Sequence, residues 1–169
     1  RKKSDIYFPM ALDGGRQRFR LQPDGRVDFR HNDPFLRARP GADTPRLDAE
    51  PGPIAVQFGL PARPEFRTLA EESLPIVTTR WSTQNIAIEQ TALVTELEGP
   101  RAKLEAPAGD TTAVWLARFD WVNRSDAPRR VTFPLSIQAA DQPVAFRVDD
   151  EGGLWVGKQL RGRVTVLTG

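Results

Sequence analysis

The sequence predicts an all-β fold, an antiparallel two-sheet β-sandwich with a long proline-rich loop, and three observations predict it. Hydrophobic residues recur with period two wherever their pattern is strong, turn-forming pairs separate the alternating runs, and no segment carries an amphipathic helical stripe. About eight to ten short strands fit this pattern. A chain of 169 residues suits a single domain spanning 1 to 169, and at that size folding buries roughly 70% of the unfolded surface. A core of that extent needs no covalent staples.

The first alternating run is "RFRLQPDGRVDFRH", which sets Phe19 and Leu21 against Val27 and Phe29. Asp24-Gly25 between them supplies the positive φ that a tight hairpin demands. Strands are expected near 17 to 22 and 26 to 31. From Pro34 to Pro75 the texture changes, with eight of the fifteen prolines gathered there. Proline fixes φ and removes a donor, so neither a continuous ladder nor a long helix fits. Within this stretch "PIAVQFG", 53 to 59, reads as one strand. "RPEFRTLAEESLP", 63 to 75, suggests a single helical turn that Pro75 ends. The remainder is expected to drape over a face or serve function.

"LPIVTTRWSTQNIAIEQTALVTEL", 74 to 97, is dense in β-branched residues, which disfavours helix. The polar "STQN", 82 to 85, interrupts the alternation, so a hairpin pairing 75 to 82 with 85 to 97 is expected. "TTAVWLARFDWVN", 111 to 123, puts Val114, Leu116 and Val122 on one side and Trp115, Ala117, Phe119 and Trp121 on the other. Two apolar faces suit a central strand covered on both sides, with Arg118 and Asp120 as interruptions. "RVTFPLSIQA", 130 to 139, reads as a half-exposed strand in which Pro134 implies an edge or a bulge. The remainder reads as strand, turn at Glu151-Gly152-Gly153, strand, turn near Gly162, strand.

Composition narrows the chemistry. The chain has no cysteine and one histidine, His31. Thiol nucleophiles, disulfides, thiolate zinc sites and paired-histidine metal motifs are therefore excluded. Net charge is +2, and the twenty arginines are interleaved with acids instead of forming a stripe, so no nucleic-acid partner is expected. No run of about 18 apolar residues is present, so no membrane span is expected. The opening "RKKSDIYFPMALDGG" lacks the apolar core of a signal peptide.

Two carboxylates, Asp120 and Glu89, sit where partial burial is conceivable, and a sugar-cleaving pair needs two such groups across the scissile bond. Ion pairing with Arg118 or Arg80 is the competing role. Asp141, Asp149, Asp150 and Glu151 suggest hard-cation chemistry, but their spacing matches no calcium loop and a solvated turn accounts for them. No cofactor, metal or catalytic residue is assigned. Among the tryptophans, Trp115 and Trp121 share a face with Phe119 and are expected in the core. Trp81 and Trp155 lie beside turns and are the candidate carbohydrate-binding residues, since an indole face stacks on the apolar face of a sugar ring. Core packing is the alternative for both.

Two segments carry a family likeness. "LPIVTTRWSTQNIAIEQTALVT", followed by "VWLARFDWVNRSDAPRRVTFPLSI", resembles the N-terminal β-sandwich (super-sandwich) domain that precedes the six-hairpin α/α barrel of bacterial glycoside hydrolases. The matching positions are Pro75, Val77 and Trp81, then Ile88 to Ala92, then Val122, Asn123 and Ser125. The likeness covers about 65 residues of the chain. It implies a non-catalytic accessory domain that packs against a C-terminal catalytic domain, with the proline-rich segment as a covering or cleft-lining loop. It also implies a periplasmic or secreted setting and a carbohydrate as the other partner. An autonomous carbohydrate-binding module is the alternative.

Overall fold

The computed structural model describes residues 7–12, 17–30, 54–71, 74–97, 112–139 and 142–166. These hold thirteen strands and no helix, so among the described residues no helix is long and apolar enough to cross a membrane. All strand pairs are antiparallel. A six-stranded sheet runs in the order β1 (Phe8–Met10), β2 (Arg18–Leu21), β3 (Val27–Arg30), β4 (Ile54–Gln57), β9 (Ser136–Ala139) and β10 (Gln142–Pro143). A four-stranded sheet joins β5 (Phe66–Ala70), β6 (Leu74–Thr83), β7 (Ile86–Glu96) and β8 (Ala113–Asn123). A third sheet contains β11 (Arg147–Val148), β12 (Gly153–Val156) and β13 (Gln159–Arg163).

The sheets are held face to face by alternate side chains. Met10, Phe19, Leu21 and Val27 from the six-stranded sheet pack with Val77 and Ala92 from the four-stranded one. A second cluster joins Ile137 to Leu154 and Val156 of the three-stranded sheet. Val56 packs on the first cluster and Ile54 on the second. These residues are two apart on β4 and so share a face. One face of the six-stranded sheet therefore meets both of the other sheets. This is the all-β, sandwich-like arrangement that the period-two pattern predicts, with a third sheet beyond the two expected.

Several local expectations hold. The Asp24-Gly25 hairpin joins β2 to β3, with Leu21 opposite Val27 and Phe19 opposite Phe29. The "PIAVQFG" strand is β4. The long hairpin is β6 and β7, with Thr83 opposite Ile86. That register leaves a two-residue turn at Gln84-Asn85, both with positive φ, the geometry that suits the twist of antiparallel strands.

Other expectations are corrected. Residues 66 to 70 form β5, not a helical turn: Thr68 pairs with Thr78 and Leu69 with Val77, and this pairing overrides the local sequence. Residues 31–53, including His31 and the first half of the proline-rich segment, lie outside the described residues. Of the "RVTFPLSIQA" run only 136 to 139 is strand, so Pro134 precedes β9 instead of sitting at its edge. The last turn falls at Gly157-Lys158, and Gly162 lies within β13 opposite Leu154, next to an irregularity in the register. Finally, β8 is not central: among the described residues it pairs only with β7. Its outer apolar positions Leu116 and Val122 are 47% and 56% exposed.

Candidate functional site

Trp81 stands on β6 opposite Ile88 and is 1% exposed. A Cβ placed on Gly25, in the β2–β3 turn, would lie 3.3 Å from Trp81 Cη2 and 3.5 Å from Gln90 Nε2. The indole therefore fills the space beneath the hairpin turn of the opposite sheet. Gln90 donates to the Gly25 carbonyl at 3.2 Å from the same interior. Burial this complete leaves no ring face at the surface for a sugar. Trp81 packs.

Trp155 is placed differently. Its neighbours Leu154 and Val156 are buried in the second core cluster, so strand alternation turns Trp155 to the other face of the three-stranded sheet. Its cross-strand partners are Arg147 on β11 and Leu160 on β13. The Arg147 guanidinium lies 4.7 Å from the indole centroid, within the range of a cation–π contact. The indole N–H donates to Asp149 Oδ2 at 2.6 Å. Asp149 Oδ1 also accepts from the main-chain N–H groups of Gly153 at 2.7 Å and Glu151 at 3.1 Å. The hydrogen bond from Trp155, then that from Gly153, holds the Asp149 carboxyl below its ordinary range. The turn, the indole and the arginine form one ordered group, with Val148 and Leu160 exposed beside it.

The two candidate carboxylates meet. Glu89 and Asp120 are direct cross-strand partners, and Arg80 is opposite Glu89 on its other side. Directly opposed residues share a face and bring their Cβ atoms within about 5 Å. Adjacent positions put the two carboxylates on one face, as a sugar-cleaving pair requires, but their surroundings do not supply the apolar enclosure that keeps a general acid protonated. Glu89 Oε2 accepts from Arg80 Nη2 at 2.5 Å and from Nε at 3.1 Å. Asp120 Oδ1 accepts from Arg118 Nη2 at 2.7 Å and Nε at 2.9 Å. Arg80 in turn covers the exposed ring of Phe66 at 4.9 Å. The row across this sheet is a set of ion pairs on an open face. Among the described residues, no group of three or more His, Asp or Glu is arranged to hold a metal ion. Asp141 lies outside them.

The aromatic residues of β8 extend the core. Trp115 packs against the first cluster, while Phe119 lies 4.8 Å from both Phe58 and Phe133, centroid to centroid. Trp121 meets Phe133 edge-on at 4.8 Å and is 36% exposed. The core thus runs out to the surface at Trp121. The sequence singles out Trp155 as a candidate but does not show Arg147 and Asp149 as its companions. Their signal is the hairpin register around Gly152, which places Arg147 and Trp155 opposite each other once the turn is counted.

Comparison with protein-family models, with curated proteins and with solved structures finds no match to this chain.

Proposed function

We propose that the chain is a non-catalytic accessory β-sandwich domain of a carbohydrate-active, glycoside hydrolase-like protein. The observation that carries this reading is the outward group of Trp155, Arg147 and Asp149. An ordered indole with charged neighbours offers a stacking surface and hydroxyl partners together, the combination that sugar recognition uses. Exposed Val148, Leu160, Val164 and Val166 give the same region an apolar surface of the kind that a catalytic domain covers. The ion-paired state of Glu89 and Asp120 supports the non-catalytic part.

Glycan-array binding and glycosidase assays on the 169-residue chain test the reading. The expected outcome is glycan binding that Trp155→Ala removes with the far-UV spectrum unchanged, and no turnover. Turnover that Glu89→Gln or Asp120→Asn abolishes would overturn the non-catalytic assignment. Glycan binding indifferent to Trp155→Ala would move the contact surface elsewhere. The alternative, an autonomous binding module, draws on the same Trp155 geometry. It is distinguished by affinity that does not change when a catalytic domain is attached.

A further inference from the structure

Strand β8 is eleven residues long and runs against β7 without a register break from Ala113 to Asn123. Among the described residues no strand pairs with its other edge, where Gln17 Oε1 accepts from the main-chain N–H of Ala113 at the start of the strand. Exposed strand edges pair readily with other chains, and proteins usually blunt them with proline, lysine, a bulge or short length. Strand β8 has none of these. Its outward positions include Leu116 and Val122, both exposed, and its only two charges are Arg118 and Asp120. These charges are of opposite sign and lie one residue to either side of Phe119, as Leu116 and Val122 lie three to either side.

The geometry points to a second copy of this chain as the occupant of that edge, in an antiparallel β8–β8 pairing whose two-fold axis passes through Phe119. In this register Arg118 faces the partner's Asp120, and Asp120 faces the partner's Arg118. Leu116 faces the partner's Val122, and the reciprocal contact repeats it. A two-fold interface must be self-complementary, residue by residue, and the strand meets that condition in charge and in apolar character. Moving the axis to Arg118 or to Asp120 sets like charges directly opposite each other, which is unfavourable. Moving it by half a residue places outward side chains opposite core-facing ones and breaks the continuity of the sheet face. The Phe119-centred register joins two four-stranded sheets into one of eight strands.

Sedimentation equilibrium on the 169-residue chain over a range of concentrations, with charge-swapped variants, tests this. Arg118 and Asp120 are ion-paired to each other with side chains 69% and 38% exposed, so substitutions there leave the core intact, and circular dichroism checks it. The wild type is expected to dimerise. Arg118→Asp sets an acid against the partner's Asp120, and Asp120→Arg sets a base against the partner's Arg118. Each is expected to weaken the dimer at least tenfold, while the double variant restores it. A chain that stays monomeric would overturn the inference. So would a dimer that both single variants leave unchanged, or single-variant losses that the double variant does not repair.

Discussion

Arg67 on β5 donates from Nη2 to the main-chain carbonyl of Gln22 at 2.7 Å, tying the four-stranded sheet to the β2–β3 turn of the six-stranded one. Its Nη1 reaches the Leu21 carbonyl at 3.3 Å, and its Nε bonds Thr79 Oγ1 at 2.9 Å. Burial lowers the affinity of this guanidinium for its proton, partly offset by Asp24. Its value lies in the three acceptors that it satisfies. Arg67→Met keeps much of the volume and leaves two carbonyls and a buried hydroxyl without this donor. The expected loss is about 2–4 kcal/mol, a fall in Tm of about 6–12 °C at this chain length. Arg67→Lys retains the charge but not the fork, and should fall between the two. Thermal melts followed by circular dichroism decide the order.

Gly25 tests the same junction from the other sheet. Its φ is +75°, and an added Cβ would meet Leu60 Cδ1 at 2.9 Å and the Trp81 ring at 3.3 Å. Gly25→Ala therefore combines left-handed strain with overpacking, at a cost of about 1–3 kcal/mol. Urea denaturation should show a lower midpoint with an unchanged slope. An unchanged midpoint would mean that the hairpin turn and Trp81 do not meet.

The β6–β7 turn is improvable. Gln84 and Asn85 have φ of 43° and 67°, and a turn with two positive φ values prefers Asn-Gly. The double change Gln84→Asn with Asn85→Gly should raise stability by about 0.5–1 kcal/mol, because it relieves the left-handed backbone cost of roughly 1–2 kcal/mol per ordinary residue, of which glycine's greater unfolded freedom takes back part. Both side chains are exposed, so no packing loss opposes the gain. A lower Tm in the double variant would contradict the assigned turn.

What the sequence made legible follows from which forces are local. Period-two alternation and Asp24-Gly25 identify the β class and the first hairpin because side-chain facing and turn strain are set within a few residues. The strand at Phe66 is invisible locally, since its pairing with β6 is what makes it a strand. The exposed position of β8 is hidden for the same reason: Leu116 and Val122 look like core until the sheet order is known. Trp81 and Trp155 both flank turns in the sequence. Only their register separates them, one facing Gly25 across the sandwich and the other facing Arg147 outside it. The adjacency of Glu89 and Asp120 needs the β7–β8 register, which no single-strand pattern contains.

Asp149 supplies a pH-dependent prediction. Its folded-state carboxyl titrates below the ordinary carboxylate range because Trp155, Gly153 and Glu151 donate to it, with a smaller contribution from Arg147. A carboxylate with a depressed folded pKa contributes stability in full above its unfolded value, and loses it as pH falls through the folded one. The wild type should therefore exceed Asp149→Asn in stability by a constant margin at neutral and mildly acidic pH. That margin should shrink only once the pH drops below the ordinary carboxylate range. Paired chemical-denaturation curves at pH 7, 5 and 3 measure it, and the indole N–H resonance of Trp155 in the proton NMR spectrum, assigned by its loss in Trp155→Phe, follows the indole contact. A margin that is the same at pH 7 and pH 3 would show that the ionised carboxylate is not what holds this turn. If the margin closes and the Trp155 signal shifts with it, the group proposed to meet sugars is organised by Asp149, and glycan binding should weaken in Asp149→Asn at neutral pH.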